Sequence, residues 1–516
     1  MASQPEVVDL ACQSRQTPNL AARRRTAAAA LCLLCGFVAL ALGTALTRTV
    51  AANEGWFADP AFHLATQGFM GTTALESSRT WLEGIDRHTY WIFPLYPLTE
   101  AAVFRLFGWG LLTMRAGSIF WGLLAVSAFY LLMRSQAERG IAALATLLVA
   151  IDFHFIIGAS TGRMDMMCAA LGYSALAAFL VLRQRSLRLA ILISQTLAAA
   201  GLFTHPCGML AVAGLVLLAL QVDRSRLNWR LVAFGLVPYS IGLAVYAGYA
   251  MQDPQSFFRQ LSGNVSGLAG EASGTTRFDG LLHPLSALWR ELLYRYMSAF
   301  NGTSWRNPYR SQVLILLLYW GGAMVAILDR RVRQQKAARL LLSLCILYFV
   351  LMWLLEGLKL RVYLVHTIPL FAGLGALWIW NWTSGRPMAR RAAVGLILLV
   401  QLLGLGVGFW RDEYRNQILP AAAFIKQHGQ PGSSVIAPGQ FVFEFGFDGR
   451  FVDDVRLGYL TGKVPDFYVR DSWYDNWLDQ ARTREPSVYQ HVSNTLALRY
   501  REVFHNEGYR IYQLQH

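Results

Sequence analysis

The sequence has few charged residues, and it has no cysteine after position 345. Asp, Glu, Lys and Arg make up only 15% of its 516 residues, whereas 55% are hydrophobic. Because a soluble domain has about 25% charged residues, this composition excludes an ordinary soluble protein and indicates a membrane protein. The lack of cysteine in residues 411–516 also excludes a disulfide framework there. The Cys32 and Cys35 pair lies within an apolar run, where it is predicted to pack rather than to bind a metal.

The sequence also lacks the basic surface of a nucleic-acid-binding protein, although its net charge is +15. No basic stripe alternates with aromatic residues. The arginines and lysines instead cluster in short loops between apolar runs. This distribution is typical of a protein with several membrane spans.

Eleven apolar stretches are predicted to cross a membrane, which takes about 20 mainly apolar residues per helix. The first follows Arg23-Arg24-Arg25, as in a signal peptide, but the many later stretches favour an uncleaved first helix. Residues 93–112 are predicted to lie on the membrane surface instead, because Glu100 and Arg105 interrupt their apolar character. The predicted spans are 27–49, 116–133, 140–157, 168–182, 189–204, 207–222, 231–250, 312–328, 338–355, 362–380 and 392–410.

The basic loops determine the predicted orientation. With the 1–26 tail in the cytoplasm, the inner loops hold 20 Lys and Arg against five acids, whereas the first outer loop, 50–115, holds four Arg against six acids. This asymmetry satisfies the positive-inside rule. It places residues 50–115, 251–311 and 411–516 outside the cytoplasm and leaves 27–410 as the transmembrane domain.

Residues 411–516 are predicted to form a small α/β domain outside the membrane. Their apolar and polar patterns predict helices and short strands in alternation. The helices are expected near 415–428 and 472–498, and the strands near 434–437, 450–453, 466–469 and 508–512. The predicted fold class is therefore an α-helical multi-pass membrane protein with a small C-terminal α/β extracytoplasmic domain.

Three acids mark a candidate site, because Glu54, Asp59 and Asp165 all lie at predicted outer ends of membrane spans. Carboxylates at a membrane boundary usually serve chemistry, ion paths or ion pairs. Each acid also has a structural interpretation. Glu54 can stabilise a helix amino terminus through the helix dipole, and Asp59 can cap a helix before Pro60. Asp165 can form an ion pair with Arg163.

Five short motifs follow one another along the chain. They are Asn53-Glu54 ahead of an interfacial helix, His88-Thr89-Tyr90 in the first outer loop, Phe107-Gly108 with Met114-Arg115, Gly162-Arg163-Met164-Asp165, and Lys359-Leu360-Arg361-Val362-Tyr363 followed by Pro369. In order, spacing and common side they resemble the GT-C class of integral-membrane glycosyltransferases. The resemblance is in particular to the family that includes protein O-mannosyltransferases and bacterial aminoarabinose transferases (glycosyltransferase family 39), and it covers residues 20–410.

The resemblance implies transfer of a hexose or pentose from undecaprenyl- or dolichyl-phosphate to an acceptor, on the outer face of the cytoplasmic membrane. Such a reaction needs a base for the acceptor's proton and cations for the charge on the leaving phosphate. Glu54 is the first choice for the base, with Asp59 and Asp165 as the other candidates. The candidate contacts to the donor phosphate are Arg163, Lys359, Arg361, Tyr363 and His88. His205 is either an accessory site residue or a satisfied polar residue at a helix junction.

Two positions depart from the family pattern of Asp-Glu followed by His-Lys-Pro-Pro. Asn53 replaces the first Asp and cannot act as a base, and Thr89 replaces the Lys. Because of Asn53, the alternative that this protein is a non-catalytic relative of these enzymes stays open. A transporter or flippase of lipid-linked sugars is another alternative, although it predicts polar residues near span centres, and a polymerase or ligase of surface glycans is a third. The sequence leaves open the sugar, the lipid, glycan or protein acceptor, and whether a divalent metal ion takes part.

Overall fold

The computed structural model describes residues 20–266, 278–300 and 309–515. Within these ranges a bundle of apolar helices is followed by a small α/β domain. Most of the predicted tail 1–26 and two parts of the predicted outer loop 251–311 lie outside the described residues.

Long apolar helices form the bundle, and short helices and turns connect them. The α-helices are α1 Leu20–Thr47, α2 Ala52–Thr66, α3 Leu95–Phe107, α4 Leu111–Arg134, α5 Arg139–Ala150, α6 Phe153–Ala159, α7 Met164–Leu182, α8 Leu187–Leu202, α9 Gly208–Val222, α10 Trp229–Ala250, α11 Pro254–Ser266, α12 Asp279–Leu282, α13 Pro284–Arg290, α14 Val313–Leu328, α15 Arg330–Arg333, α16 Lys336–Leu355, α17 Ile368–Trp382 and α18 Pro387–Arg411. Other helical turns cover Arg224–Arg226, Glu291–Met297, Arg310–Gln312 and Arg361–His366.

Seven helices in the described residues are long and apolar enough to cross a membrane, and α5 with α6 makes an eighth if their 64° bend lies within one span. Three shorter apolar helices, α8, α9 and α17, occupy three further predicted positions. Each predicted span therefore contains a helix, and the chain is an integral membrane protein. The number of eleven crossings stays a prediction.

Helix α3 occupies the segment that was predicted to lie on the membrane surface. Its 13 residues reach about 20 Å at 1.5 Å per residue, which is less than the roughly 30 Å of a hydrocarbon core. Tyr96 and Glu100 are buried against the protein, whereas Leu98 and Leu106 are exposed. This amphipathic division suits a helix at an interface.

The C-terminal domain is built on a five-stranded sheet with the order β2-β1-β3-β5-β4. Strands β1, β2 and β3 are parallel, and β4 and β5 form an antiparallel pair beside β3. A strand that was not predicted, β4, follows the second helix. The predicted helix near 472–498 is two helices, because the chain breaks before Pro486, which provides no backbone N–H. The elements are α19 Leu419–His428, β1 Val435–Ile436, α20 Val442–Phe445, β2 Phe451–Val452, β3 Phe467–Arg470, α21 Ser472–Arg484, α22 Pro486–Arg499, β4 Tyr500–His505 and β5 Arg510–Leu514.

The α/β domain packs directly onto the first helices that follow α1. One buried apolar core joins Phe57 of α2 and Tyr96 of α3 to Phe441 and Val469 of the C-terminal domain. A separate, larger core fills the helical bundle. The α2–α3 region and the α/β domain therefore bury their apolar faces against each other.

Candidate active site

A cavity of about 600 Å³ opens at one end of the helical bundle. Five segments meet there, and Ala299 and Tyr309 complete the described lining: the segments are the last turn of α1, α6, the start of α7, the turn Arg361–His366 and the end of α18. The charged side chains in its wall are Arg48, Arg163, Asp165, Arg361, Arg411 and Glu413. Four guanidinium groups thus face two carboxylates, so the cavity has an excess of positive charge.

Two of these arginines form no ion pair with a carboxylate of the described residues. Arg361 is exposed to the cavity, and no hydrogen bond or ion pair joins it to another described residue. Arg48 donates from Nη1 to Thr161 Oγ1 at 2.7 Å, which is a neutral partner. Burial and the nearby charges of Arg115 and Arg361 lower the pKa of Arg48 to about 10, although Glu54 opposes the shift. Such crowding of cations is relieved when an anion binds between them.

Asp165 lines this cavity and has one carboxylate oxygen without a hydrogen-bond partner among the described residues. It lies in the first turn of α7, and its Oδ2 accepts a hydrogen bond from Arg163 Nε at 2.8 Å. Its Oδ1 is buried and has no hydrogen-bond partner among the described residues. The predicted ion pair is therefore present, and it still leaves one carboxylate oxygen available to a bound molecule.

Glu54 does not line the cavity. Arg115 donates to it from Nε at 3.0 Å and from Nη2 at 2.8 Å. The backbone N–H groups of Gly162 and Ala51 donate at 2.7 Å and 2.9 Å. Burial alone would raise the pKa of the Glu54 carboxyl, but the Arg115 charge and these hydrogen bonds together hold it below its usual value. Each Glu54 oxygen therefore already accepts two hydrogen bonds, which favours the structural interpretation of this residue.

The ion pair between Glu54 of α2 and Arg115 of α4 joins these helices to two segments that border the cavity, the end of α1 and the start of α7. Arg115 Nη1 donates to Ala45 O at 2.6 Å and Arg48 O at 3.2 Å, and Nη2 donates to Thr49 O at 3.1 Å. Glu54 holds Gly162, which precedes Arg163. The pair therefore determines where the end of α1 and the start of α7 lie relative to α2.

Asp59 is also held away from the cavity. Its Oδ2 accepts from Ala74 N at 2.6 Å, and its Oδ1 lies 3.1 Å from His63 Nε2. Burial raises its pKa, although the hydrogen bonds from His63, Ala74 and Thr73 oppose the rise. Asp59 lies inside α2 rather than at its end. Its hydrogen bond with Ala74 therefore holds the segment after the helix against the helix.

Lys359 belongs to a buried cluster of four charges instead of the cavity wall. Its Nζ lies 3.2 Å from Glu291 Oε2 and donates to Trp353 O at 2.7 Å. Arg295 pairs with both Glu291 and Glu356. Lys359 has a positive φ of 54°, and Arg361, two residues later, lies in the cavity wall. The structure thus separates two residues that the sequence motif had grouped.

Tyr363, His205 and His88 also lie outside the cavity wall. Tyr363 and His205 line a second, smaller cavity, with their ring centroids 5.0 Å apart. His205 Nδ1 accepts from Cys207 N at 3.1 Å. His88 stacks on Tyr90 at 5.7 Å, and its carbonyl oxygen accepts from Gln260. Arg163, Asp165 and Arg361 are therefore the predicted site residues that the structure brings together.

Arg48, Arg411 and Glu413 line the cavity but were not among the predicted site residues. Each lies at or just after the end of an apolar helix, α1 or α18. That position, a charged residue where a predicted span meets the outer surface, is the sequence signal that could have identified them.

The charged residues of the cavity do not suit a divalent cation. Among the described residues no group of three or more His, Cys, Asp or Glu side chains could hold a metal ion. Asp165 is neutralised by Arg163, and four arginines repel a cation. Mg²⁺ and similar ions need several free oxygen ligands, so no chemical step is assigned to a metal here.

The fold is that of the GT-C integral-membrane glycosyltransferases, which confirms the predicted resemblance. ArnT from Cupriavidus metallidurans, solved with undecaprenyl phosphate bound, superposes with a TM-score of 0.59 and 15% identity, over 94% of this chain and 98% of ArnT. The Archaeoglobus fulgidus oligosaccharyltransferase in complex with Zn and sulfate gives a TM-score of 0.56 and 11% identity, over 92% of this chain and 72% of that one.

A further structure of that archaeal enzyme, AglB, holds an inhibitory peptide and a dolichol-phosphate. It gives a TM-score of 0.51 and 11% identity, over 95% of this chain and 74% of AglB. No protein-family model and no curated protein matches the sequence. The similarity is therefore one of fold, carried by nearly the whole chain.

Proposed function

We propose that this protein transfers a sugar from a polyprenyl-phosphate donor to an acceptor and that the arginine-lined cavity is the active site. The observation that carries the proposal is Arg361, a guanidinium exposed to the cavity with no hydrogen-bond or ion-pair partner among the described residues. A guanidinium binds phosphate through two parallel hydrogen bonds. Structural relatives hold undecaprenyl phosphate or dolichol-phosphate, which supports the same class of donor here.

Arg361 and Arg48 hold the donor phosphate in this mechanism, and Arg411 contributes charge from the far wall. As the acceptor oxygen attacks the anomeric carbon, the bond between that carbon and the phosphate oxygen breaks. Negative charge grows on the departing phosphate, where fixed guanidinium groups stabilise it more than they stabilise the bound donor. The products are the glycosylated acceptor and the polyprenyl phosphate.

Asp165 takes the acceptor's proton in this proposal. Asp165 lines the cavity, and its buried Oδ1 has no hydrogen-bond partner among the described residues, so this oxygen is the one proposed to accept a hydrogen bond from an acceptor hydroxyl. Arg163 keeps the carboxylate ionised and fixes its orientation through Oδ2. Glu54, the first choice from sequence, instead positions the segments around the cavity.

We further propose that the cavity faces outward across the cytoplasmic membrane, with 27–410 as the transferase domain and 411–516 outside. The positive-inside pattern supports this orientation. Reporter fusions after residues 182, 334 and 516 test it. An inward signal is expected at 182 and 334 and an outward signal at 516, and an outward signal at 334 would contradict the assignment.

The donor site is tested by binding of undecaprenyl phosphate to the full-length protein in lipid nanodiscs. Arg361→Ala is expected to weaken binding roughly tenfold or more, because it removes a charge-assisted contact. The affinity of Arg361→Lys should lie between those of Arg361→Ala and the wild type, since a lysine keeps the charge and loses the planar guanidinium with its two parallel donors. Arg185→Ala, an exposed arginine in the loop between α7 and α8, is the matched control. Equal affinities of wild type and Arg361→Ala would move the phosphate site elsewhere.

The product identifies the sugar and the acceptor. Mass spectrometry of surface glycolipids and glycans from cells with and without the protein should show one added hexose or pentose that depends on it. A second candidate function, a non-catalytic relative, is favoured by Asn53 at the position of the family's first Asp. It predicts donor binding without any change in surface glycans.

A further inference from the structure

The edge of the C-terminal sheet that usually binds ligands is occupied by helix α2. In open α/β sheets, ligands bind outside the carboxyl ends of the parallel strands. Here Asp453 directly follows β2, and its Oδ2 accepts from Trp56 Nε1 of α2 at 2.9 Å and from Gly439 N at 2.7 Å. Its Oδ1 accepts from Tyr474 Oη at 2.6 Å. The Asp453 carboxylate is 4% exposed, so protein groups alone fill its surroundings.

The backbones on both sides of this contact touch directly. A Cβ atom on Gly55 would lie 2.2 Å from Gly439 O, and one on Gly439 would lie 2.6 Å from Ala52 O. Asp453 also donates its backbone N–H to Ala74 O at 2.6 Å. Helix α2 is therefore seated on the α/β domain without room for a side chain between them, and Asp453 lies at the centre of the contact.

The chain segment just before α2 forms part of the cavity wall. Arg48 and Thr49 line the cavity and immediately precede α2. The side chain of Tyr509, in the C-terminal domain, lies close to that of Thr49. The α/β domain thus contacts this corner of the active site both through α2 and directly.

We propose that the C-terminal α/β domain is an integral part of the active site and that Asp453 is its positioning residue. By holding Trp56, Asp453 keeps α2, and with it Arg48 and Thr49, in place beside the donor phosphate. The part that concerns donor binding rests on the proposed function. Asp453 does not line the cavity and is not a catalytic residue.

The test compares two substitutions at the same position. Asp453→Ala leaves three buried donors without an acceptor. Asp453→Asn can keep two of them satisfied, because its carbonyl oxygen can face Trp56 and Gly439, and its NH₂ group can donate to the Tyr474 hydroxyl, which then no longer donates at this position. Per folded molecule, Asp453→Ala is expected to raise the donor KM about fivefold or more through displacement of the phosphate contacts. Asp453→Asn should stay within about twofold of the wild type, because its carbonyl oxygen still accepts from Trp56 and so still holds α2.

Asp466→Ala is the matched control. Asp466 accepts two hydrogen bonds from Ser434, at the opposite edge of the same sheet, so its loss weakens the domain without touching α2. Hydrogen–deuterium exchange of residues 49–56 gives a readout that needs no activity. Faster exchange is expected in Asp453→Ala and not in Asp466→Ala.

The outcomes separate this inference from the proposed function. Unchanged exchange of residues 49–56 in Asp453→Ala would overturn the inference, as would an equal rise in KM in Asp466→Ala. Loss of activity in Asp453→Asn with its exchange unchanged would point to a chemical role of the carboxylate and would also overturn it. If the wild type transfers no sugar, the proposed function fails, and binding of undecaprenyl phosphate together with the exchange data still decides whether Asp453 positions the site.

Discussion

Substitution of Glu54 and Asp165 by their amides separates the structural carboxylate from the proposed base. In Glu54→Gln, the new NH₂ group replaces one of two oxygens that each accept two hydrogen bonds. This NH₂ group is a donor, and it faces N–H donors of Arg115 and of the backbone, which lose their acceptor. Removing one partner of a buried ion pair typically costs about 3–5 kcal/mol. Glu54→Gln should thus lower the stability by an amount of this order.

Asp165→Asn should behave in the opposite way. Its remaining carbonyl oxygen can still accept the one hydrogen bond from Arg163 Nε, so Asp165→Asn should lower the stability less than Glu54→Gln does, although it also leaves a buried guanidinium unpaired. The loss of a general base, however, should reduce turnover about 10²- to 10⁴-fold. Donor binding should change little, because the phosphate contacts are not altered.

The two variants are compared by unfolding in detergent, by donor binding and by the rate of sugar transfer per folded molecule. The double variant Arg115→Met with Glu54→Gln is the internal control. It removes the guanidinium that Glu54→Gln leaves unpaired, so it should recover part of the stability that the single variant loses. The reasoning would be refuted if Glu54→Gln folded like the wild type and lost turnover while Asp165→Asn remained active. Glu54 would then be the base, as the sequence motif suggests.

Two further predictions concern residues away from the cavity. Lys359→Met should lower stability by about 3 kcal/mol, because it breaks the buried pair with Glu291, while the donor affinity of the folded fraction stays unchanged; weaker binding with normal stability would return Lys359 to the phosphate site. Burial raises the pKa of Asp453 to about 7, and Asp471 adds to the shift. Since this exceeds the unfolded value of about 3.9, the native state holds an extra proton between these pH values, and stability should fall as pH rises through that window. Because other buried acids such as Glu100 also have raised pKa values, denaturant unfolding at several pH values should show a shallower slope in Asp453→Asn than in the wild type, and equal slopes would contradict this prediction.

The fold was predictable because its main determinants are local. Length and apolarity identify each bundle helix, and the basic loops predict which end of each helix faces the cytoplasm. Helix α3 was recognised as too polar to span because Glu100 and Arg105 interrupt it. The strand β4 was missed because Tyr500–His505 follows a strong helical pattern and is exposed over much of its length, so neither a buried face nor a turn signal marked it.

The roles of the site residues were less predictable because long-range contacts decide them. Glu54 and Asp165 look equivalent in sequence, and they differ because Glu54 meets Arg115 and Gly162, 61 and 108 residues away. Lys359 and Arg361 are two residues apart, yet Lys359 forms an ion pair with Glu291, whereas Arg361 lies in the cavity wall and forms no ion pair with a described residue. A motif places residues in one region, whereas hydrogen-bond partners determine which of them can act on a substrate.

Asn53 provides the last test of how the site works, since it replaces the Asp that the family usually carries. Its Oδ1 is buried and has no hydrogen-bond partner among the described residues, and it lies in the first turn of α2, where an acid gains about 0.3–1 kcal/mol from the helix dipole. Asn53→Asp should therefore be tolerated. If Asp165 is the base, this change alone should leave turnover within about threefold of the wild type, because it duplicates a function already present. In the Asp165→Asn background it should restore little, since the proton acceptor would be in a different place. Recovery of more than about tenfold in that double variant would show that position 53 reaches the acceptor, and Asp165 would then be an ion-pair partner of Arg163 and not the base.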